Sequence, residues 1–64
     1  MFVIEVRRIA ESDFGLVSKG NKAIQFETFD KARAFGKKNI EDSKYIASWE
    51  AISVDVAKNK GYDV

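Results

Sequence analysis

The sequence predicts an α+β domain in which one amphipathic helix packs on one face of a small, mainly antiparallel sheet of three to four strands. Three features carry the prediction: alternating apolar side chains near the N-terminus, a capped amphipathic segment after residue 28, and a β-branched and aromatic segment from residue 45. The element order is strand, strand, possible strand, helix, strand, which is typical of α+β domains. The 64 residues are expected to form a single domain, 1–64.

The first strand is predicted over residues 2–9, because side chains alternate there between two faces. Turn-forming residues at 11–15 are expected to reverse the chain into a second strand at 14–18. The dipeptide Gly20-Asn21 suits a two-residue hairpin turn, which predicts a third strand at about 22–27. The alternative is one long, bent second strand with an excursion at this dipeptide.

The helix is predicted to begin at Phe29, with the Thr28 hydroxyl capping its first turn and Asp30 close to the positive end of its dipole. It is expected to end near residues 39–42. Gly36 costs about 1 kcal/mol relative to Ala within a helix, so its position on the packing side predicts close approach of the helix to the sheet. An early end of the helix is the alternative. That packing side comprises Phe29, Ala32, Phe35, Gly36 and Ile40.

The last strand is predicted over residues 45–57, where the apolar alternation changes phase. If both sets of apolar side chains face the core, a bulge near residues 50–52 must shift the register. A short helical turn around residues 43–49 is the alternative. From about residue 58 the chain is expected to form a polar C-terminal tail.

Composition excludes several kinds of chemistry. The chain has no Cys, His or Pro, so it has neither a disulfide nor the ligands of a conventional zinc site. Without His or Cys, acid–base and nucleophilic catalysis lack their usual residues, and no glycine-rich phosphate loop is present. We therefore expect a non-catalytic protein without a cofactor. No signal peptide or apolar membrane span is visible, so a cytoplasmic location is expected.

The helix is more basic than the rest of the chain. Four basic residues and one Asp give it a net charge of +3, against +1 for the whole sequence. Such a face could contact nucleic-acid phosphates or an acidic protein, although any exposed helix carries a charged outer side. The residues concerned are Lys31, Arg33, Lys37 and Lys38.

A domain this short has one helix to cover one face of its sheet, which predicts that the other face is open to a partner. Val3 and Ile9 of the first strand are candidates for that surface. Tyr45 and Trp49 are further candidates, as interface residues or as platforms for stacking bases. A homodimer could also form through an edge strand or through this open face.

The segment Phe2-Val3-Ile4, the entry to the helix at Phe26-x-Thr28 with Ala32 inside, and the closing strand at 51–56 together resemble small bacteriophage proteins that modulate the host cell. The inhibitors of bacterial RNA polymerase are similar in size and element order, but their helix is acidic where this one is basic. The resemblance implies a protein of the host cytoplasm that binds and inhibits a host enzyme or defence system. Alternatives are a nucleic-acid-binding module and a self-assembling structural module.

Overall fold

A computed structural model describes residues 1–10 and 13–64, and it confirms the predicted α+β class. Five strands and two helices follow one another in the described chain. They are β1 (Phe2–Arg8), β2 (Phe14–Leu16), β3 (Ser18–Lys19), β4 (Lys22–Ala23), α1 (Phe29–Asn39), β5 (Ile46–Ser53) and α2 (Val54–Asn59).

The main sheet has the antiparallel order β2–β1–β5, so β1 is its central strand. A separate hairpin joins β3 to β4 by pairing Lys19 with Lys22, with Gly20 at a positive φ of 65°. The predicted two-residue turn is therefore confirmed. The third strand is shorter than expected, and beyond it Phe26 forms an isolated bridge to Phe2. The turn predicted at 11–15 includes two positions, 11 and 12, that lie outside the described residues.

Local signals set the start of α1 as predicted. The Thr28 hydroxyl accepts a hydrogen bond from the Lys31 backbone N–H at 3.1 Å, which satisfies one of the free donors of the first turn. At the other end, the Ile40 backbone N–H donates to the Gly36 carbonyl. Ala32 and Gly36 are buried on the side facing the sheet.

Gly36 brings the helix backbone against the indole ring of Trp49 in β5. A Cβ at position 36 would lie 2.7 Å from Cε3 of Trp49 and closer still to Cζ3. Real Cβ atoms do not come this near to another carbon, so the close approach predicted for this glycine is confirmed.

The change in apolar alternation along β5 is not caused by the bulge expected near residues 50–52. The register with β1 is regular from Phe2↔Ser53 to Arg7↔Ser48, and it shifts only at the next residue, Arg8. The expected position of the bulge is therefore wrong. Each set of apolar residues has a buried member because both faces of the sheet are covered: Ala51 lies in the core beneath α1, and Ile52 lies in a second core on the other face.

The last strand is also shorter than predicted. It begins at Ile46, which excludes the alternative helical turn at 43–49, and it ends at Ser53. The Ser53 hydroxyl accepts a hydrogen bond from the Val56 backbone N–H at 3.1 Å and caps α2, so the strand predicted through residue 57 is wrong beyond Ser53.

The expectation of a fully open second sheet face is wrong. The C-terminal cover, defined as α2 together with residues 60–64, packs on the face opposite α1. The second core contains Val3 at 0% exposure, with Ile52 and Ala57. Tyr62 and Val64 pack against this core, so these two residues of the predicted polar tail are structural. Neither helix in residues 1–10 and 13–64 has the length and apolar character needed to span a membrane.

Candidate functional site

The C-terminal cover protects only part of the face opposite α1. Side chains alternate along β1, so Val3, Glu5 and Arg7 share this face. Val3 is beneath the cover and Glu5 lies at its border. Arg7 lies beyond the C-terminal cover and is exposed. The residues that pair with Arg7 on the two neighbouring strands, Phe14 and Ser48, are exposed as well. The open surface is thus the end of the sheet that follows Glu5.

Glu5 is a buried charged residue, 6% exposed, in the central strand. Its two carboxylate oxygens have separate partners from the C-terminal cover. The Lys60 ammonium donates to Oε1 at 2.9 Å, and the Tyr62 hydroxyl donates to Oε2 at 2.6 Å. Both oxygens are therefore satisfied, as a buried carboxylate requires.

Interactions with Lys60 and Tyr62 lower the pKa of Glu5 by more than burial raises it. Burial alone would raise the pKa of Glu5, but the hydrogen bonds from Tyr62 and Lys60 and the positive charge of Lys60 lower it below its ordinary value. Burial, together with the neighbouring Glu5 carboxylate, raises the pKa of Tyr62 to about 12. At neutral pH Glu5 is ionised and Tyr62 is protonated, so this pair fixes the C-terminal cover and offers no free acid or base.

An open depression of about 460 Å³ lies over this cluster, lined by Glu5, Phe14, Glu50, Lys60 and Tyr62. Glu50 pairs with Glu5 across β1 and β5 and is itself exposed. The depression combines one exposed aromatic ring with charges of both signs. This composition is typical of the rim of a protein interface.

Large apolar side chains are exposed at the same end of the sheet. We define the apolar end as Ile9, Phe14 and Tyr45, which are 60%, 59% and 76% exposed. Ile9 and Tyr45 are joined by a backbone hydrogen bond of 2.9 Å, and Phe14 starts β2 opposite Arg7, two residues before Ile9. The sequence pointed to Ile9 and Tyr45 but missed Phe14. The signal available was an aromatic residue at the first position of the predicted second strand, next to the predicted turn at 11–15.

The structure separates the other predicted site residues. Val3 is inaccessible, so it cannot contact a partner without unfolding of the cover. Trp49 is half-buried against Gly36 and lines a groove at the outer edge of β5. The four basic side chains of α1 are exposed, as predicted, but helical spacing divides them into two flanks, Arg33 with Lys37 and Lys31 with Lys38.

Two of these basic residues have protein partners. The Lys31 ammonium lies 3.6 Å from the Glu27 carboxylate, an exposed ion pair. The Arg33 guanidinium lies over the Phe29 ring, 5.8 Å from its centroid. Comparison with models of protein families, with curated proteins and with solved structures gives no match to this chain.

Proposed function

We propose that this is a non-catalytic binding protein that modulates another protein by docking through the apolar end. The observation that carries the proposal is the exposure of Ile9, Phe14 and Tyr45, by 60%, 59% and 76%, at one end of the sheet. Burying such side chains against a partner removes apolar surface from water, which contributes about 25 cal/mol per Å². Neighbouring charged residues, Arg7 and Glu50, would supply a polar rim.

The resemblance to small bacteriophage proteins suggests the class of partner, a bacterial host enzyme or defence protein. A small domain whose sequence lacks His and Cys can inhibit such a target by occupying its surface, without catalysis. The proposal therefore places this protein in the cytoplasm of the host, acting as an inhibitor.

The experiment is capture of proteins from a bacterial lysate by the immobilised chain, with quantitative mass spectrometry. The test variants are Phe14→Ser and Tyr45→Ser, and the matched control is Val56→Ser, which removes an apolar side chain that is 43% exposed on α2. We expect one or more proteins to be retained by the wild type and by the control, and depleted about tenfold or more by each test variant. Retention of the same proteins by all variants would reject docking through the apolar end.

Nucleic-acid binding through Lys31, Arg33, Lys37 and Lys38 is the second candidate, favoured by the exposure of all four side chains. Their division between two flanks and the Lys31–Glu27 ion pair weaken this alternative. Treating the lysate with nuclease separates the two candidates. Captured proteins that disappear after nuclease treatment would indicate nucleic acid as the direct ligand.

A further inference from the structure

The outer edge of β5 presents unpaired backbone groups. β5 is at one end of the sheet order β2–β1–β5, and no strand within residues 1–10 and 13–64 pairs with its other side. The Val54 backbone N–H donates to the Met1 carbonyl at 3.0 Å, which fixes the phase of the ladder with β1. Because hydrogen-bonded pairs alternate along antiparallel strands, Glu50 and Ile52 bond to β1. The N–H and C=O groups of Trp49 and Ala51 consequently point outward.

A groove accompanies these backbone groups. Its volume is about 350 Å³, and it lies between α1 and β5, lined by Phe29, Arg33, Trp49, Glu50 and Ala51. An added strand would hydrogen-bond to β5 and direct alternate side chains towards α1. The edge and the groove together thus have the two parts of a site for an extended peptide: backbone pairing and a place for side chains.

The helix-facing side of the groove favours an acidic side chain. Its charged residue is Arg33, whereas the groove's other charged residue, Glu50, pairs with Glu5 on the opposite face of the sheet. The Arg33 guanidinium lies over the Phe29 ring and forms no ion pair with any carboxylate in the described part of the chain. Lys37 lies one turn further along the same flank. A guanidinium presents its N–H donors in one plane, which matches the geometry of a carboxylate.

We propose that the edge of β5 at Trp49 to Ala51 binds an extended segment of a partner protein, with an Asp or Glu of that segment paired to Arg33. This site is distinct from the apolar end. The occupant is a strand with a carboxylate on its helix-facing side, flanked by apolar residues that contact Phe29 and Trp49.

A second copy of this chain fits the edge less well. Antiparallel pairing of two β5 strands about a two-fold axis would place both copies of α1 on the same side of the joint sheet. The second β5 would offer Trp49 and Ala51 on that side, neither of which is a carboxylate. It would also bring a second Arg33 and Lys37 towards the first pair, which is unfavourable between like charges.

The test is an NMR titration of the ¹⁵N-labelled full chain with two synthetic peptides. The first is acetyl-Thr-Val-Thr-Glu-Thr-Val-Thr-amide, in which Val, Glu and Val share one face, and the second replaces Glu with Lys. We expect the Glu peptide to shift the amides of Trp49 and Ala51 and the Arg33 side-chain Nε–H. We also expect it to bind about fivefold or more tightly than the Lys peptide.

Three variants make the outcome specific. Arg33→Gln is expected to abolish the preference for the Glu peptide, whereas Lys31→Gln, which removes one charge from the other flank, is expected to retain it. Phe14→Ser is expected to bind the peptide as the wild type does, so that failure of this site and failure of the apolar end are distinguishable. Sedimentation velocity establishes the oligomeric state under the same conditions.

Four results would overturn the proposal. The first is that the amide resonances of Trp49 and Ala51 do not shift at about 5 mM peptide. The second is equal affinity for the two peptides, and the third is a set of resonance shifts confined to the apolar end. The fourth is a concentration-dependent dimer that protects the Trp49 and Ala51 amides from hydrogen exchange. The last result would identify a second copy as the occupant.

Discussion

At the scale of single residues, Glu5 has the most consequential environment in the chain. It is charged, 6% exposed and placed in the central strand, yet both of its oxygens accept hydrogen bonds from the C-terminal cover. Removing one partner of a buried charged pair costs more than the net value of the pair, because the remaining group stays desolvated. Glu5 therefore makes folding of the sheet and docking of the cover interdependent.

Substitution of this pair should show energetic coupling. We expect Glu5→Gln to lower the free energy of unfolding by about 2 kcal/mol, and Tyr62→Phe to lower it by about 1–2 kcal/mol. The double variant should lose less than the sum. Glu5→Gln removes the charge and one of the two acceptors, which weakens the hydrogen bond of 2.6 Å that Tyr62→Phe deletes. Urea unfolding followed by circular dichroism measures all three.

The control for loss of a hydroxyl is Tyr45→Phe, since Tyr45 is 76% exposed. It is expected to change the free energy of unfolding by less than about 0.5 kcal/mol. Strict additivity of Glu5→Gln and Tyr62→Phe would contradict the coupling derived from their geometry.

At the scale of elements, the packing of α1 on β5 depends on Gly36. Gly36→Ala should improve helix propensity by about 1 kcal/mol, but the new Cβ would lie 2.7 Å from Cε3 of Trp49 and must displace the indole. Overpacking of this kind costs about 1–3 kcal/mol. We therefore expect net destabilisation, together with a change in Trp49 fluorescence, measured during urea unfolding.

Gly15→Ala is the matched control, because nothing lies within 4 Å of a Cβ at that position. It is expected to be neutral or slightly stabilising, since it lowers the entropy of the unfolded chain. A Gly36→Ala variant as stable as Gly15→Ala, with unchanged Trp49 emission, would show that the indole is not held against the helix.

The elements differ in how far their sequences reveal them. α1 is readable because Thr28, Asp30 and the apolar spacing all act within one or two turns. α2 was missed because Val54 and Val56 are β-branched and favour a strand, and a helix of six residues has little local preference of its own. It forms where Ser53 caps it and where Val54 and Ala57 pack on the second core.

The residues of the candidate site also divide into those that local sequence predicts and those that depend on distant contacts. Exposure of Ile9 and Tyr45 could be anticipated from their positions at strand ends. The burial of Val3 could not, because it depends on contacts with residues more than fifty positions away in the C-terminal cover. Pairing of Glu5 with Lys60 and Tyr62 spans 55 and 57 positions, and no periodicity in the sequence encodes such a contact.

At the scale of the whole molecule, the sheet lies between two covers. α1 buries one face, and α2 with residues 60–64 buries part of the other. Small domains gain little stability from burial alone, so a charged contact between the two ends of the chain has a large relative effect. Glu5 near the N-terminus binds Lys60 and Tyr62 near the C-terminus. Because Glu5 and Tyr62 both titrate, the stability of the fold depends on pH in both the acidic and the alkaline range.

The direction at each extreme follows from the pKa values. The folded-state pKa of Glu5 is lowered from 4.5, so its contribution is present above that value and is lost as pH falls through the folded-state pKa. The pKa of Tyr62 is raised from 10.0 to about 12, so its contribution is present below 10.0 and is lost as pH rises through about 12. We expect the stability difference between wild type and Glu5→Gln, measured by urea unfolding, to shrink below pH 4.5. The corresponding difference between wild type and Tyr62→Phe should shrink above pH 10.0. Stability differences that stay constant below pH 4.5 and above pH 10.0 would mean that protonation of Glu5 and of Tyr62 is not linked to folding.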